Sequence, residues 1–290
     1  MKEITTLTEL LKEKGLIMVP GAFDALSAKL IEEQGFYAAS MSGFATSVSI
    51  FGLPDRGLIT LTEVVQNASR IVDAINIPLI ADGDTGYGNA LNVVRTVKEF
   101  EKAGVAGIHI EDQTWPKRCG HMARKSVIEA DEMVAKIKAA IDSRKNPDFL
   151  IIARTDSLAT HGFDHAIERC KMYAEAGADM LFIDGLKRMA HIKKIPKLLK
   201  DKPNIINMGP LTPNITADEL KKLGYAIAAY PGVCLIAKIL ACREELKKLK
   251  ETGLQRPFTD VVQSFPNLNE FLGDTHYTEL ELKYAVKEKD

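Results

Sequence analysis

The sequence predicts an α/β fold, a single (β/α)8 barrel of the TIM type with a C-terminal helical extension. Three observations predict it. From residue 15 onward, short β-rich apolar runs alternate with amphipathic stretches of helical length, the pattern of consecutive βα units around a parallel sheet. Eight such units follow one another. No GxGxxG motif follows the first apolar run and no smaller second domain appears, which argues against an open doubly wound sheet.

Taken in order, residues 1–15 (MKEITTLTELLKEKG) form a charged amphipathic helix pattern with no apolar core of the kind a secretory leader carries. Strands are predicted at 16–19, 38–41, 78–81, 107–110, 150–153, 180–183, 204–206 and 226–229, each followed by a polar or glycine-containing loop and a helix. Two echoes, EKAGVAGIHIED and AEAGADMLFIDG, read as a helix capped by glycine, then a buried strand ending in acid. After the eighth strand, 231–251 reads as a long helix. The predicted division is a barrel domain over 1–251 and a helical extension over 252–290 that packs across the barrel or on a neighbouring subunit.

Composition is that of an ordinary globular protein: 290 residues, 46% hydrophobic and 27% charged. The net charge of −1, with both signs interspersed, offers no basic stripe for a phosphate backbone, so no nucleic-acid partner is expected. No stretch approaches roughly 18 uninterrupted apolar residues, so no membrane partner is expected and a cytoplasmic location is. The four cysteines lie far apart with no CxxC, which suggests neither a disulfide framework nor a zinc knuckle. Cys170, Cys234 and Cys242 sit on helical patterns and are expected to pack.

In a barrel of this kind, chemistry belongs to the loops after the strands. The predicted strand ends offer Asp24, Ser42, Asp82 with Asp84, Glu111 with Asp112, Arg154 with Asp156, Asp184 and Asn207. In IADGDTGYG, Asp82 and Asp84 stand two apart before glycines, a pattern suited to a hard cation or to a simple Asp/Gly turn. As a metal site, Asp84 would bind Mg²⁺ while Asp82 and Glu111 hold its waters. Arg154 leaves an apolar strand and needs an anion, either a substrate carboxylate or an internal partner such as Asp156 or Asp184. The long loop EDQTWPKRCGHMARK carries Lys117, Arg118, Cys119 and His121, a lid with a thiol in cationic surroundings that favour the thiolate. His109, inside a strand, is as readily structural as functional.

Through SGFATSVSIFGLPDRG, ADGDTGYGN, GIHIEDQ, PKRCGH and ARTD, the chain resembles the phosphoenolpyruvate mutase/isocitrate lyase superfamily over essentially its whole length. KRCGH resembles the cysteine-bearing lid of members that cleave a carbon–carbon bond in hydroxy-dicarboxylates. The resemblance implies a Mg²⁺-dependent lyase, with Mn²⁺ as a substitute, that splits a substituted malate such as 2,3-dimethylmalate, or 2-methylisocitrate, into pyruvate and a carboxylic acid. Phosphonomutase and oxaloacetate hydrolase chemistry are the alternatives within the family. It also implies site roles. Ser42, Gly43, Phe44 and Asp55 would border substrate and metal. Asp82, Asp84 and Glu111 would serve Mg²⁺, with Lys117, Arg118, Gly120, Arg154, Asp184 and Asn207 around the substrate. Cys119 would donate a proton, with His121 beside it. Asp184 stands where methylisocitrate lyases carry Glu, INMGPLTP lacks their next Glu, Phe44 replaces a glycine, and Ser40 replaces a tyrosine. Together these imply a smaller substrate. Members commonly form homotetramers that swap the last barrel helix.

Overall fold

The structure is a computed structural model, and it describes residues 5–120, 124–254 and 265–285. Eight parallel strands close into a barrel in chain order: β1 Ile17–Ala22, β2 Ala39–Met41, β3 Leu79–Asp82, β4 Gly107–Glu111, β5 Leu150–Thr155, β6 Met180–Ile183, β7 Asn204–Asn207 and β8 Ile227–Tyr230. Every predicted strand is present. Several run one to three residues further than apolar character alone suggested, because polar strand ends such as Arg154 and Thr155 still pair in the ladder with β6.

Before β1 stands α1 (Leu7–Lys14), opened by a reciprocal Thr6–Glu9 capping box. The barrel helices are α2 (Ala25–Glu33), α3 (Gly43–Phe51), α4 (Leu61–Ala74), α5 (Ala90–Lys102), α6 (Ala130–Ser143), α7 (Leu158–His161), α8 (Phe163–Glu175), α9 (Met189–Leu198) and α10 (Ala217–Leu223). After β8 come α11 (Val233–Thr252), α12 (Phe265–Leu272) and α13 (Asp274–Tyr284). Gly104 and Gly177, the glycines of the two sequence echoes, take φ of 80° and 105° just past α5 and α8. That left-handed turn lets each helix double back into the next strand.

Side chains alternate across each strand, so the fold has two apolar layers. Ile17, Val19, Ile80, Leu150, Ile152, Met180, Phe182, Ile205 and Ile227 fill the barrel, with Leu7 of α1 packed against them from the N-terminal end. Each such side chain contributes about 1.5–3 kcal/mol by leaving water. The opposite faces, including Met41, Ala81, Ile108, Ile110, Ile151 and Ile206, pack against the surrounding helices.

The chain separates into two compact units, residues 1–237 and 238–290. The division falls inside α11, whose buried residue is Leu235. Cys170 is fully buried as expected and Cys234 partly so, whereas Cys242 is exposed. No helix among the described residues is long and apolar enough to cross a membrane.

Candidate active site

The alternation that fills the barrel also builds its C-terminal mouth. Two positions beyond the interior residues Ile80, Ile152, Phe182 and Ile205 stand Asp82, Arg154, Asp184 and Asn207, on the same inward face but above the apolar plug. On β4 the inward pair is His109 and Glu111. Strand register sets Asp82 beside His109 and Glu111 beside Arg154.

Asp82 is fixed by backbone donors: Gly43 N to Oδ2 at 3.1 Å and Asp84 N to Oδ1 at 3.0 Å. Ser42 caps α3 by accepting from Ala45 N, and so presents Gly43 N to that carboxylate. Phe44 follows in the same turn, half-buried. The Lys117 ammonium lies 2.6 Å from Asp55 Oδ1 and 2.7 Å from Asp84 Oδ1, with all three side chains buried. Asp84 Oδ2 and Glu111 Oε1 are buried without a hydrogen-bond partner among the described residues. The Tyr87 phenol lies beside Asp84.

These charges shift one another strongly. Burial, reinforced by Asp82 and Asp55, pushes Asp84 up to about 6 in spite of Lys117. Burial also holds Glu111 well above the usual carboxylate range despite Arg154. Asp82 goes the other way: burial opposes its charge, but the surrounding cations and the Asp84 amide hold it below the usual range. His109, 3.5 Å from Asp82 Oδ1, is driven down by burial although Asp82 pulls it up, and His109, Lys117 and Arg154 together supply the field that lowers Asp82. Burial would lower Lys117, yet Asp84, Asp82, Glu111 and Asp55 together hold it well above its ordinary value.

Arg154 is engaged internally, as one of its two predicted alternatives required. Its Nε donates to Asp156 Oδ2 at 2.9 Å and one terminal nitrogen donates to Asp184 Oδ2 at 3.0 Å, with Glu111 Oε2 at 3.2 Å. Asn207 Nδ2 donates to the other Asp184 oxygen at 3.0 Å. Asp184 therefore sits between a guanidinium and an amide.

The 113–120 loop lies against this mouth. Gln113 clamps it with two hydrogen bonds to the backbone of Arg118, and Cys119 N donates to Asp55 O at 3.2 Å. Cys119 is half-buried there. At Gly120 a side chain is impossible in place: a Cβ would stand 1.7 Å from Asp184 Oδ2 and 2.7 Å from an Arg154 nitrogen.

The predicted residues Ser42, Gly43, Asp55, Asp82, Asp84, Glu111, Lys117, Cys119, Gly120, Arg154, Asp184 and Asn207 thus converge on one mouth, with Phe44 and Arg118 alongside. His121 lies outside the described residues. Two strand-end acids are elsewhere. Asp24 caps α2, and Asp112 points outward to bind Thr155, Arg169 and Tyr173. Among the described residues no three His, Cys, Asp or Glu side chains form a ready metal cage. A Mg²⁺ ion does not need one, since it binds through one or two carboxylates and several waters. Sequence reasoning left His109 undecided and missed Tyr87 and Lys125. The signal for His109 was its position two residues before Glu111 on the inward face.

The model of the family described as phosphoenolpyruvate phosphomutase matches residues 7–250. A 2,3-dimethylmalate lyase from Eubacterium barkeri is 43% identical over 99% of both chains. A chloroplastic carboxyvinyl-carboxyphosphonate phosphorylmutase from Arabidopsis thaliana is 42% identical over 97% of this chain and 84% of its own. Among solved structures, an oxaloacetate acetylhydrolase holding the inhibitor 3,3-difluorooxalacetate superimposes with a TM-score of 0.92 at 34% identity, covering 99% of this chain and 98% of that one.

Proposed function

The chain belongs to the phosphoenolpyruvate mutase/isocitrate lyase superfamily and is a carbon–carbon lyase; from that premise we propose that it cleaves a substituted malate of the 2,3-dimethylmalate type to pyruvate and a carboxylic acid, with Mg²⁺. One observation carries the reading. Two buried carboxylate oxygens with no hydrogen-bond partner among the described residues, Asp84 Oδ2 and Glu111 Oε1, face the same mouth as the Arg154 guanidinium and the Cys119 loop. Buried carboxylate oxygens call for a proton or a cation, and the cation reading is the one taken here.

The donor set, all hard oxygens, would suit Mg²⁺: Asp84 would bind it directly, and Asp82 and Glu111 would hold its waters. When bound, the ion supplies Lewis-acid stabilisation of negative charge where the keto acid forms. Arg154 orients a substrate carboxylate, releasing part of its hold on Asp184 or Glu111 to do so. Loss of the 2-hydroxyl proton lets the C2–C3 bond break. The electron pair stays on C3 as the enolate of the departing acid, and the Cys119 thiol delivers a proton to that carbon.

A substituted malate is the reading that the 2,3-dimethylmalate lyase relative supports. Asp184 and Arg154 are directly roofed by Gly120, and Asp184 presents its acid one methylene short of a glutamate. The test is a lactate dehydrogenase-coupled assay of pyruvate release with Mg²⁺, offering 2,3-dimethylmalate, 2-methylmalate, 2-methylisocitrate, isocitrate and oxaloacetate. Release from 2,3-dimethylmalate is expected, and Cys119→Ser should reduce it about 100- to 10,000-fold. Silence on every substrate, together with a new phosphorus–carbon signal from a phosphonate substrate by ³¹P NMR, would overturn it.

A further inference from the structure

We infer that Lys125 is a positioning residue that ties the 113–120 loop to the carboxylate aiming Arg154, so that loop placement and guanidinium orientation are set together. Its Nζ donates to Gly120 O at 2.6 Å and to Asp156 Oδ1 at 2.6 Å. Both charged side chains are essentially buried, Lys125 at 2% exposure and Asp156 at 0%.

Asp156 is the hub of this arrangement. Its backbone N donates to Asp112 Oδ1 at 2.9 Å, which anchors it to the end of β4. Its carboxylate receives Lys125 on Oδ1 and the Arg154 Nε on Oδ2 at 2.9 Å, with a longer Arg154 contact of 3.3 Å to Oδ1. Arg154 then reaches Asp184, and Asp184 Oδ2 lies directly against the Cα of Gly120. The connections close a ring from Gly120 through Lys125, Asp156, Arg154 and Asp184 back to Gly120.

Two consequences follow from the chemistry of that ring. A buried carboxylate shared by two cations is held from both sides, so the Arg154 fork has one orientation instead of several. The Gly120 carbonyl, pulled by a short charged hydrogen bond, brings Cys119 and Gly120 to a fixed height over Asp184. Lys125 touches neither the proposed substrate position nor the metal carboxylates in this structure. Its effect passes through Asp156 and Gly120.

The role of Arg154 toward substrate rests on the lyase reading above, so the experiment includes a readout independent of turnover. Lys125→Met and Lys125→Arg are compared with wild type by amide hydrogen exchange of the 113–120 segment, referenced to β4 and β5. Steady-state kinetics and Mg²⁺ titration calorimetry accompany it. Lys125→Met should exchange faster at 113–120 with unchanged β4 and β5. It should also lose on the order of 100-fold in kcat/KM, as expected from a misplaced reacting group, while Mg²⁺ affinity stays within about two-fold. Lys125→Arg, which keeps the charge but not the geometry, should fall between.

Unchanged exchange with wild-type kcat/KM in Lys125→Met overturns the assignment. So does a loss of Mg²⁺ affinity that accounts for the whole kinetic defect. Should Lys125→Met fail to fold, Lys125→Arg decides: faster loop exchange supports the role, and wild-type exchange and turnover overturn it. If wild-type protein cleaves no hydroxy acid, the exchange comparison still judges Lys125 by itself and the lyase reading alone has failed.

Discussion

Gly120 shows how one missing side chain fixes a reaction site. Nothing about a glycine in KRCGH says whether it bends the loop or makes room, and the structure answers that it makes room, for Asp184 and Arg154. Gly120→Ala should therefore lift the loop off the mouth. We expect kcat/KM to fall on the order of 100-fold, with a melting temperature near that of wild type, because the loop lies outside the apolar layers. Enzyme assays paired with thermal unfolding check this. A large drop in melting temperature would instead make Gly120 a folding residue. Cys119 and Arg154 belong to the same scale: residue type together with loop or strand-end position made both legible, but the three carboxylates around Arg154 were not. Linear spacing placed Asp156 and Asp184 as candidates and could not say that both bind at once.

At the scale of elements, Asp112 shows that a polar strand end need not serve catalysis. It follows Glu111 directly, so pleating turns it to the opposite face, where it meets α8. There Arg169 at 3.1 Å and Tyr173 at 2.8 Å from α8, and Thr155 at 2.6 Å from β5, all bind one oxygen. The carboxylate fastens α8 to the sheet. Replacing it by Asn leaves the buried Arg169 without its anion, and we expect Asp112→Asn to cost about 3 kcal/mol. Urea unfolding measures the loss, and a change below about 1 kcal/mol would reduce Asp112 to one polar contact among several. Asp24 is the milder case, an N-cap that opens α2.

For the whole molecule, the proposed metal site draws on residues of β3, β4 and the β3–α5 loop, so binding there stabilises the closed barrel and not one element. Folding raises Asp84 from its ordinary 3.8 to about 6 in the metal-free protein. Between those values the unfolded chain is ionised while the fold keeps the proton, so this group makes metal-free stability fall as pH rises from 3.8 toward 6. Above that, the ionised carboxylate is ready for a cation. Mg²⁺ at about 100 times its Kd should then add about 2.7 kcal/mol. Differential scanning calorimetry should show a clear Mg²⁺-dependent rise in melting temperature at pH 7.5 that shrinks at pH 5.5. An equal rise at both pH values would remove Asp84 from the metal site.

By itself the sequence determined the eight βα units, because apolar runs and glycine caps are local signals that survive without partners. It also placed polar candidates at the strand ends, Asp82, Glu111, Arg154, Asp184 and Asn207 among them, because a polar residue closing an apolar run is a local signal, but it could not separate them from outward-facing Asp112. Only the tertiary structure decided who pairs with whom. Barrel closure set Glu111 beside Arg154 and Asp82 beside His109. It buried Lys117 between Asp55 and Asp84, and it brought Lys125 to Asp156 across 31 residues. These contacts depend on register and loop path across strands distant in sequence. Burial at those contacts, absent from any local pattern, is what raised Asp84 and Glu111 and lowered His109.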